Sequence, residues 1–177
     1  KGGVVVTSDM RTSDPDIYAV GDVAEVAHFV SGEKTMIPLA GPANKQGRIC
    51  ANNIAGISSE YCGSMASSIV KIFDLTVAST GLNENQLKHM GKLAGTDYFI
   101  AITHAFSHAD YYPRASQMTI KVLYLKDGTV VGAAAAGYEG VDKRIDIIAT
   151  AIHFRGKISD LAELELCYAP PFSSAKD

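Results

Sequence analysis

T-S-D-P-D-I-Y-A-V-G-D-V-A, from Thr12 to Ala24, is the stretch on which the reading of this chain turns. A short apolar run, Ile17-Tyr18-Ala19-Val20, stops at Gly21-Asp22, and Pro15 bounds it upstream. A run of that length predicts one buried strand. Glycine lets another group approach the backbone, because no Cβ stands in the way. The carboxylate of Asp22 is then expected at the carboxyl end of the strand, where open α/β sheets bind their ligands. An ionised carboxylate only accepts hydrogen bonds, so Asp22 suits a ligand that offers hydroxyl donors. On its own, the Gly-Asp pair reads first as an ordinary strand-to-turn junction.

The whole string is more specific. T-S-x-P-x-I-Y-A-x-G-D closely resembles the second flavin-binding motif of the FAD-dependent pyridine nucleotide-disulfide oxidoreductases. The resemblance implies that Gly21 and Asp22 belong to a FAD site, with Asp22 holding the ribityl chain. A second stretch follows in order, P-L-A-G-P-A-N-K-Q-G-R-I-C-A-N-N-I-A-G from Pro38 to Gly56. Its residues predict a helix after Gly41, because proline is favoured at the first helical position. Ile49, Ala51 and Ile54 fall loosely on one face, and Gly56 suits the C′ position. The start of such a helix carries unpaired N–H groups and partial positive charge. A plain surface helix is the alternative. L-A-G-P-A-N-x-Q-G-R resembles the family's flavin-facing helix, which implies that Leu39, Ala40, Gly41 and Ala43 contact FAD.

Composition narrows the rest. The 177 residues suffice for one good core or parts of two, and hydrophobic (47%) and charged (20%) residues are in ordinary globular balance. A net charge of −3 gives no support to nucleic-acid or anionic-membrane binding. No apolar run reaches the ~18 residues that span a bilayer. Cys50, Cys62 and Cys167 are widely spaced, with no C-x-x-C and no metal-ligand spacing. No metal is expected, and so sparse a set fits a reducing cytoplasm better than a disulfide scaffold. His104 and His108 straddle the end of a predicted strand with no Cys or carboxylate cluster, and are expected to be structural or surface residues.

Taken in order, Gly2 to Val6 reads as a strand and Val23 to Ile37 as a loop turning near Gly32-Glu33. Met65 to Ala78 is apolar and β-rich. Asn83 and Gln86 form a capping pair for a helix ended by Gly91. Strands are expected at Tyr98 to Ala105, Met118 to Leu125 and Val130 to Ala136, the last two joined at Asp127-Gly128 by a type I′ turn. Gly132, Gly137 and Gly140 fit no phosphate-binding pattern and read as close-packing positions. Val141, Ile145, Ile148, Ala149 and Ile152 mark one face of an amphipathic helix. A short helix is expected near Asp160 to Leu164. The order gives an α+β fold, an antiparallel sheet with flanking helices. It is similar to the interface domain that ends these flavoenzymes. The division expected is residues 1–60 as the C-terminal part of an α/β FAD-binding domain and residues 61–177 as a dimerisation domain.

No G-x-G-x-x-G is present, and no cysteine falls in the family's redox motif. The chain opens on a strand with no preceding element, so it is expected to be a C-terminal piece, inactive alone. F-D-L-T-V-A-S-T-G-L-N-E from Phe73, D-Y-Y-P from Asp110, G-x-D-K-R-I-D from Gly140 and Y-A-P-P-F-S-S-A-K-D from Tyr168 resemble coenzyme A-disulfide reductases and related NADH oxidases. That branch implies a homodimer with FAD and NAD(P)H, reducing coenzyme A disulfide, or oxygen, peroxide or polysulfide in sister branches. It also implies that Tyr112 and Tyr168 serve the partner's redox thiol, where glutathione reductase relatives use a histidine. Phe172 is placed on the same tail, beside the flavin. Pro170-Pro171 is expected to hold Tyr168 and Phe172 on a stiff, extended segment. Lys143 and Arg144, at the polar start of the last long helix, suit coenzyme A phosphates. Packing for the tyrosines and a solvated face for the basic pair are the alternatives. The family often shows Gly after Y-Y-P, and this chain has Arg114.

Overall fold

The computed structural model describes residues 2–175. They fall into two units, one ending at Ala66 and the other starting at Ser67.

In the first unit, β1 (Val4–Val5) pairs in parallel with β2 (Ala24–Ala27), Val4 opposite Ala24. β2 turns back through Gly32 into β3 (Lys34–Thr35). The stretch from Val23 to Ile37 is therefore a short hairpin and not the expected loop. Ala24 and Val26 alternate into a core with Val6, Met10, Ile37, Ile49 and Tyr61, which anchors β2 as a strand.

The expected strand at Ile17 to Val20 does not form. Its backbone is spent locally: Thr12 N–H bonds Ile17 C=O at 2.9 Å, and Ala19 N–H bonds Met10 C=O at 3.1 Å. Tyr18 makes one isolated bridge with Arg11 and accepts its guanidinium at 2.7 Å. The Gly21-Asp22 pair consequently lies in a 3-10 turn, Gly21–Val23, that leads into β2. It stands at the start of a strand, not at the end of one.

α1 (Ala40–Ile54) begins two residues before Pro42. Proline there costs nothing, because the first amides of a helix have no intrahelical acceptor. Gly56 N–H bonds Asn53 C=O and Ile57 N–H bonds Asn52 C=O, a Schellman ending with Gly56 at C′. Of the expected apolar face only Ile49 is buried, and Gln46 accompanies it. Ala51 and Ile54 are exposed.

The second unit is a five-stranded sheet in the order β4-β5-β8-β7-β6, antiparallel throughout. The strands are β4 (Ser68–Ile72), β5 (Leu75–Gly81), β6 (Tyr98–Phe106), β7 (Gln117–Leu125) and β8 (Val130–Gly137). The helices are α2 (Glu84–His89), α3 (Val141–His153) and α4 (Ile158–Ala162). The Asn83–Gln86 capping box starts α2 as read. α3 buries Val141, Ile145, Ile148, Ala149 and Ile152 against β5 and β8, the face that its period predicts. Gly132 is glycine for want of space: a Cβ there would lie 1.8 Å from the Leu82 carbonyl oxygen.

The turn at Asp127-Gly128 is not type I′. Gly128 alone has positive φ, +90°, with its N–H on Leu125 C=O, while Leu125 N–H reaches Thr129 C=O. That is a type I turn followed by a left-handed glycine. Asp127 keeps ordinary φ because its carboxylate is occupied, accepting from Thr129 N–H and Oγ1 at 3.0 Å each. Those bonds hold the Asp127 carboxyl below its ordinary pKa.

Candidate functional site

The residues singled out from the sequence fall into two sets, one in each unit. In the first, Gly21 sits at φ +76°, and its Cβ position would lie 3.7 Å from Ala43 Cβ, so the turn packs on the first turns of α1. Gly21 N–H donates to Gln46 Oε1 at 2.7 Å. Gln46 is 1% exposed, so this bond is made away from water and fixes the turn to the helix. Asp22 is left with its carboxylate exposed beside them. Leu39 is the N-cap of α1 with no side-chain cap, and the first turn, Ala40, Gly41, Pro42 and Ala43, holds no acid. The helix start therefore offers free N–H donors and uncompensated positive charge. Gly21, Asp22, Leu39, Ala40, Gly41 and Ala43 all belong to this turn and helix start. A cofactor carrying hydroxyls and a negative edge fits this donor set, with Asp22 accepting and α1 donating.

In the second unit, β6 and β7 are joined by the loop Ser107–Ser116, and the chain's tail runs back onto it. Ala109 N–H bonds Pro170 C=O at 3.3 Å. Tyr168 Oη lies 3.2 Å from Tyr111 Oη. Tyr168 shares this hydrogen bond with Tyr111. Tyr112 packs edge-on against His108, ring centroids 5.8 Å apart. The hydrogen bond to Tyr168 raises the Tyr111 pKa above its ordinary 10.0. Pro170-Pro171 does not keep the tail extended. It sits inside a turn closed by Phe172 N–H on Ala169 C=O at 2.9 Å, which leaves the Phe172 ring 71% exposed. Proline fits the turn because its fixed φ suits position i+1 and the closing donor comes from Phe172.

Arg144 is half-buried and spends its guanidinium on backbone. Nη2 donates to Ser107 C=O at 2.8 Å and Nη1 to Gly140 C=O at 3.4 Å. Burial lowers its pKa from the ordinary value. Lys143 and Arg144 line a groove of about 580 Å³ with Met118, Ile120, Ile147 and Tyr168. Arg114 adopts φ +72°, which is why glycine suits that position. Among the described residues no cluster of His, Cys, Asp or Glu suits a metal, and all three cysteines are free thiols.

Sequence reasoning missed Gln46 and Tyr111. Gln46 shares the stripe Gln46–Ile49–Asn53, and polar residues on the buried stripe of a helix are the signal that marks it. Asn53 is bound in the same way, to Asp9 C=O, Ser59 C=O and Ser59 N–H. No signal of period or composition separates two adjacent tyrosines in a loop.

The second unit is thus a five-stranded antiparallel sheet with one long helix on it. Residues 67–177 match the family described as "Pyridine nucleotide-disulphide oxidoreductase, dimerisation domain", and the chain belongs to that family. It is 38% identical to the NADH oxidase of Methanocaldococcus jannaschii over 98% of this chain and 38% of that protein. It is 37% identical to the coenzyme A disulfide reductase of Staphylococcus epidermidis over 100% of this chain and 40% of that protein. The crystal structure of reduced CoADR-RHD from Bacillus anthracis superposes with a TM-score of 0.93 at 50% identity, covering 99% of this chain and 31% of that one. The chain thus spans well under half the length of the proteins it matches. Among the described residues no helix is long and apolar enough to cross a membrane.

Proposed function

We propose that this chain is the flavin-contacting and dimerisation part of a NAD(P)H-dependent flavoprotein disulfide reductase whose oxidised substrate is coenzyme A disulfide. Residues 1–60 complete a FAD-binding domain and residues 61–177 form the interface of a homodimer. The observation that carries the reading is the Tyr111–Tyr168 contact, two phenols held at 3.2 Å on a folded-back tail that carries no histidine. Either hydroxyl of the pair can donate to the other; with Tyr111 as the donor, Tyr168 keeps its own hydrogen for an acceptor outside the unit. A neutral phenol so placed donates to a thiolate leaving group, and Tyr111 replenishes the proton. Phe172 stands on the same turn as an exposed ring for the flavin edge.

In the first unit Asp22 accepts from the ribityl hydroxyls, and the amides of Ala40 and Gly41 hold the negative edge of the isoalloxazine. When bound, FAD supplies two-electron transfer between nicotinamide and disulfide. Lys143 takes a coenzyme A phosphate, and Arg144 adds charge while its N–H groups stay on Ser107 and Gly140. Three free cysteines suit the reducing cytoplasm.

Tyr168→Phe in the full-length protein tests the reading. Turnover with coenzyme A disulfide is expected to fall about 100-fold, the lower range of general acid–base contributions. Flavin reduction by the nicotinamide stays unchanged in rapid mixing. Equal turnover in both proteins returns Tyr168 to a packing role. The similarity to an NADH oxidase supports a second reading, in which oxygen, peroxide or polysulfide replaces the coenzyme A disulfide. Oxygen uptake exceeding disulfide-dependent turnover would favour it. A third reading takes the chain alone as a dimerisation module without activity, which a colourless dimer would favour.

A further inference from the structure

The loop that carries Tyr111 is tied by a chain of hydrogen bonds whose polarity can be assigned throughout. Ser116 N–H donates to Ser107 Oγ at 3.2 Å, and Ser116 Oγ–H donates to the same oxygen at 3.3 Å. Both lone pairs of Ser107 Oγ are then taken, and its one hydrogen goes to His108 Nδ1, 3.1 Å away. Across the loop, His108 Nε2 lies 3.1 Å from Pro113 C=O, which only accepts. The two ends of the ring give the same answer: Nδ1 is bare and Nε2 carries the hydrogen. His108 is 6% exposed and Ser107 4%, so neither end can exchange its partner for water at little cost. The Ser107 carbonyl is held by Arg144 Nη2. Tyr111 and Tyr112 lie between His108 and Pro113, and Arg114 follows in the left-handed conformation. The segment is closed at both ends by one imidazole.

We propose that His108, as the neutral Nε2–H tautomer donating to Pro113, is the positioning residue that sets Tyr111 against Tyr168. This rests on the reading of that phenol pair as the proton-donating group. His108 touches neither hydroxyl. It fixes the span from Ala109 to Pro113, with Tyr112 packed on the ring face and Ala109 N–H on the tail's Pro170. Glutamine places an amide N–H close to where His108 Nε2 stands, whereas phenylalanine keeps the ring shape and donates nothing.

The test uses the full-length protein and titrates its tyrosines by near-ultraviolet absorbance, with Tyr111→Phe identifying the Tyr111 step. In His108→Phe the Tyr111 step is expected to move to lower pH, back toward the ordinary phenol range, and in His108→Gln to stay at the wild-type position. In the full-length protein His108→Phe should lower disulfide turnover roughly tenfold with KM nearly unchanged, within the range of one lost proton-transfer alignment. His108→Gln should restore it. A Tyr111 step unmoved in His108→Phe, or moved equally in His108→Gln, overturns the positioning role. The two ideas fail separately: a shifted Tyr111 step beside a fully active Tyr168→Phe keeps His108 as the positioner and removes the proton donor.

Discussion

The two faces of the five-stranded sheet contrast sharply. On one, the row Thr103–Ile120–Ala135–Ala78–Ile69 runs across all five strands, and α3 lies over its centre. Ala78 and Ala135 are buried there, as are Ile145 and Ile148 of α3. On the other, the next row, His104–Thr119–Ala136–Val77–Val70, has no long helix over it. There Val70 is 52%, Ile72 53% and Ile102 58% exposed. Strand alternation puts apolar residues on both faces; among the described residues the second face is covered only in part, where Leu123 is buried and Lys121 binds Glu84 of α2, and the β4 and β6 residues above stay exposed. Under the proposed reading, an apolar face of this extent is expected to pack on a second copy of the chain.

The contrast can be broken from the covered side first. Ile148→Ala is expected to cost about 2–5 kcal/mol, as truncations in a packed core do, read by denaturant unfolding. Ile102→Lys on the open face should cost folding little. It should weaken the dimer by at least about tenfold, or 1.4 kcal/mol, seen in sedimentation at micromolar concentration. A dimer undiminished by Ile102→Lys would assign the open face to something other than a second copy. Arg114→Gly should raise stability by about 0.5–1 kcal/mol, because relief of left-handed strain exceeds the added freedom of the unfolded chain. Glu84 is the smallest. Its hydrogen bond to Lys121 holds its carboxyl below the ordinary 4.5. A depressed carboxyl stabilises above the unfolded pKa, and that contribution is lost as pH falls through the folded one. Glu84→Gln should therefore remove about 0.5 kcal/mol at neutral pH and nothing in strong acid, less in high salt because the pair is partly exposed.

What was legible in the sequence was local. The period of α3 and the Asn83–Gln86 box depend on residues three and four apart, and both stand where they were read. The α+β order followed from them. What failed depended on partners distant in sequence. Ile17 to Val20 has the composition of a strand, yet Met10 and Thr12 took its backbone groups. Ala24 to Ala27 looked like loop, yet Val4 supplied a neighbour. That Tyr111 meets the Tyr168 hydroxyl while Tyr112 packs on His108 depends on the path of the loop, which neither tyrosine's identity records. Arg114 was noticed as a departure, but only its φ explains it.

The place of β8 in the middle of the sheet also sets the order in which the domain can be built. β5 has β8 as its inner neighbour, Thr76 lying opposite Gly137, so the first hairpin to leave a ribosome must wait for the last strand. Until Val130 onward is made, β5 carries an unpaired edge and β4 keeps its apolar side chains in water. The closure of β5 on β8 spans the longest separation in the sheet and is expected to be its slow step. A product ending before Val130 should therefore aggregate, as light scattering would report, whereas one that includes β8 captures the waiting hairpin with its small alanines.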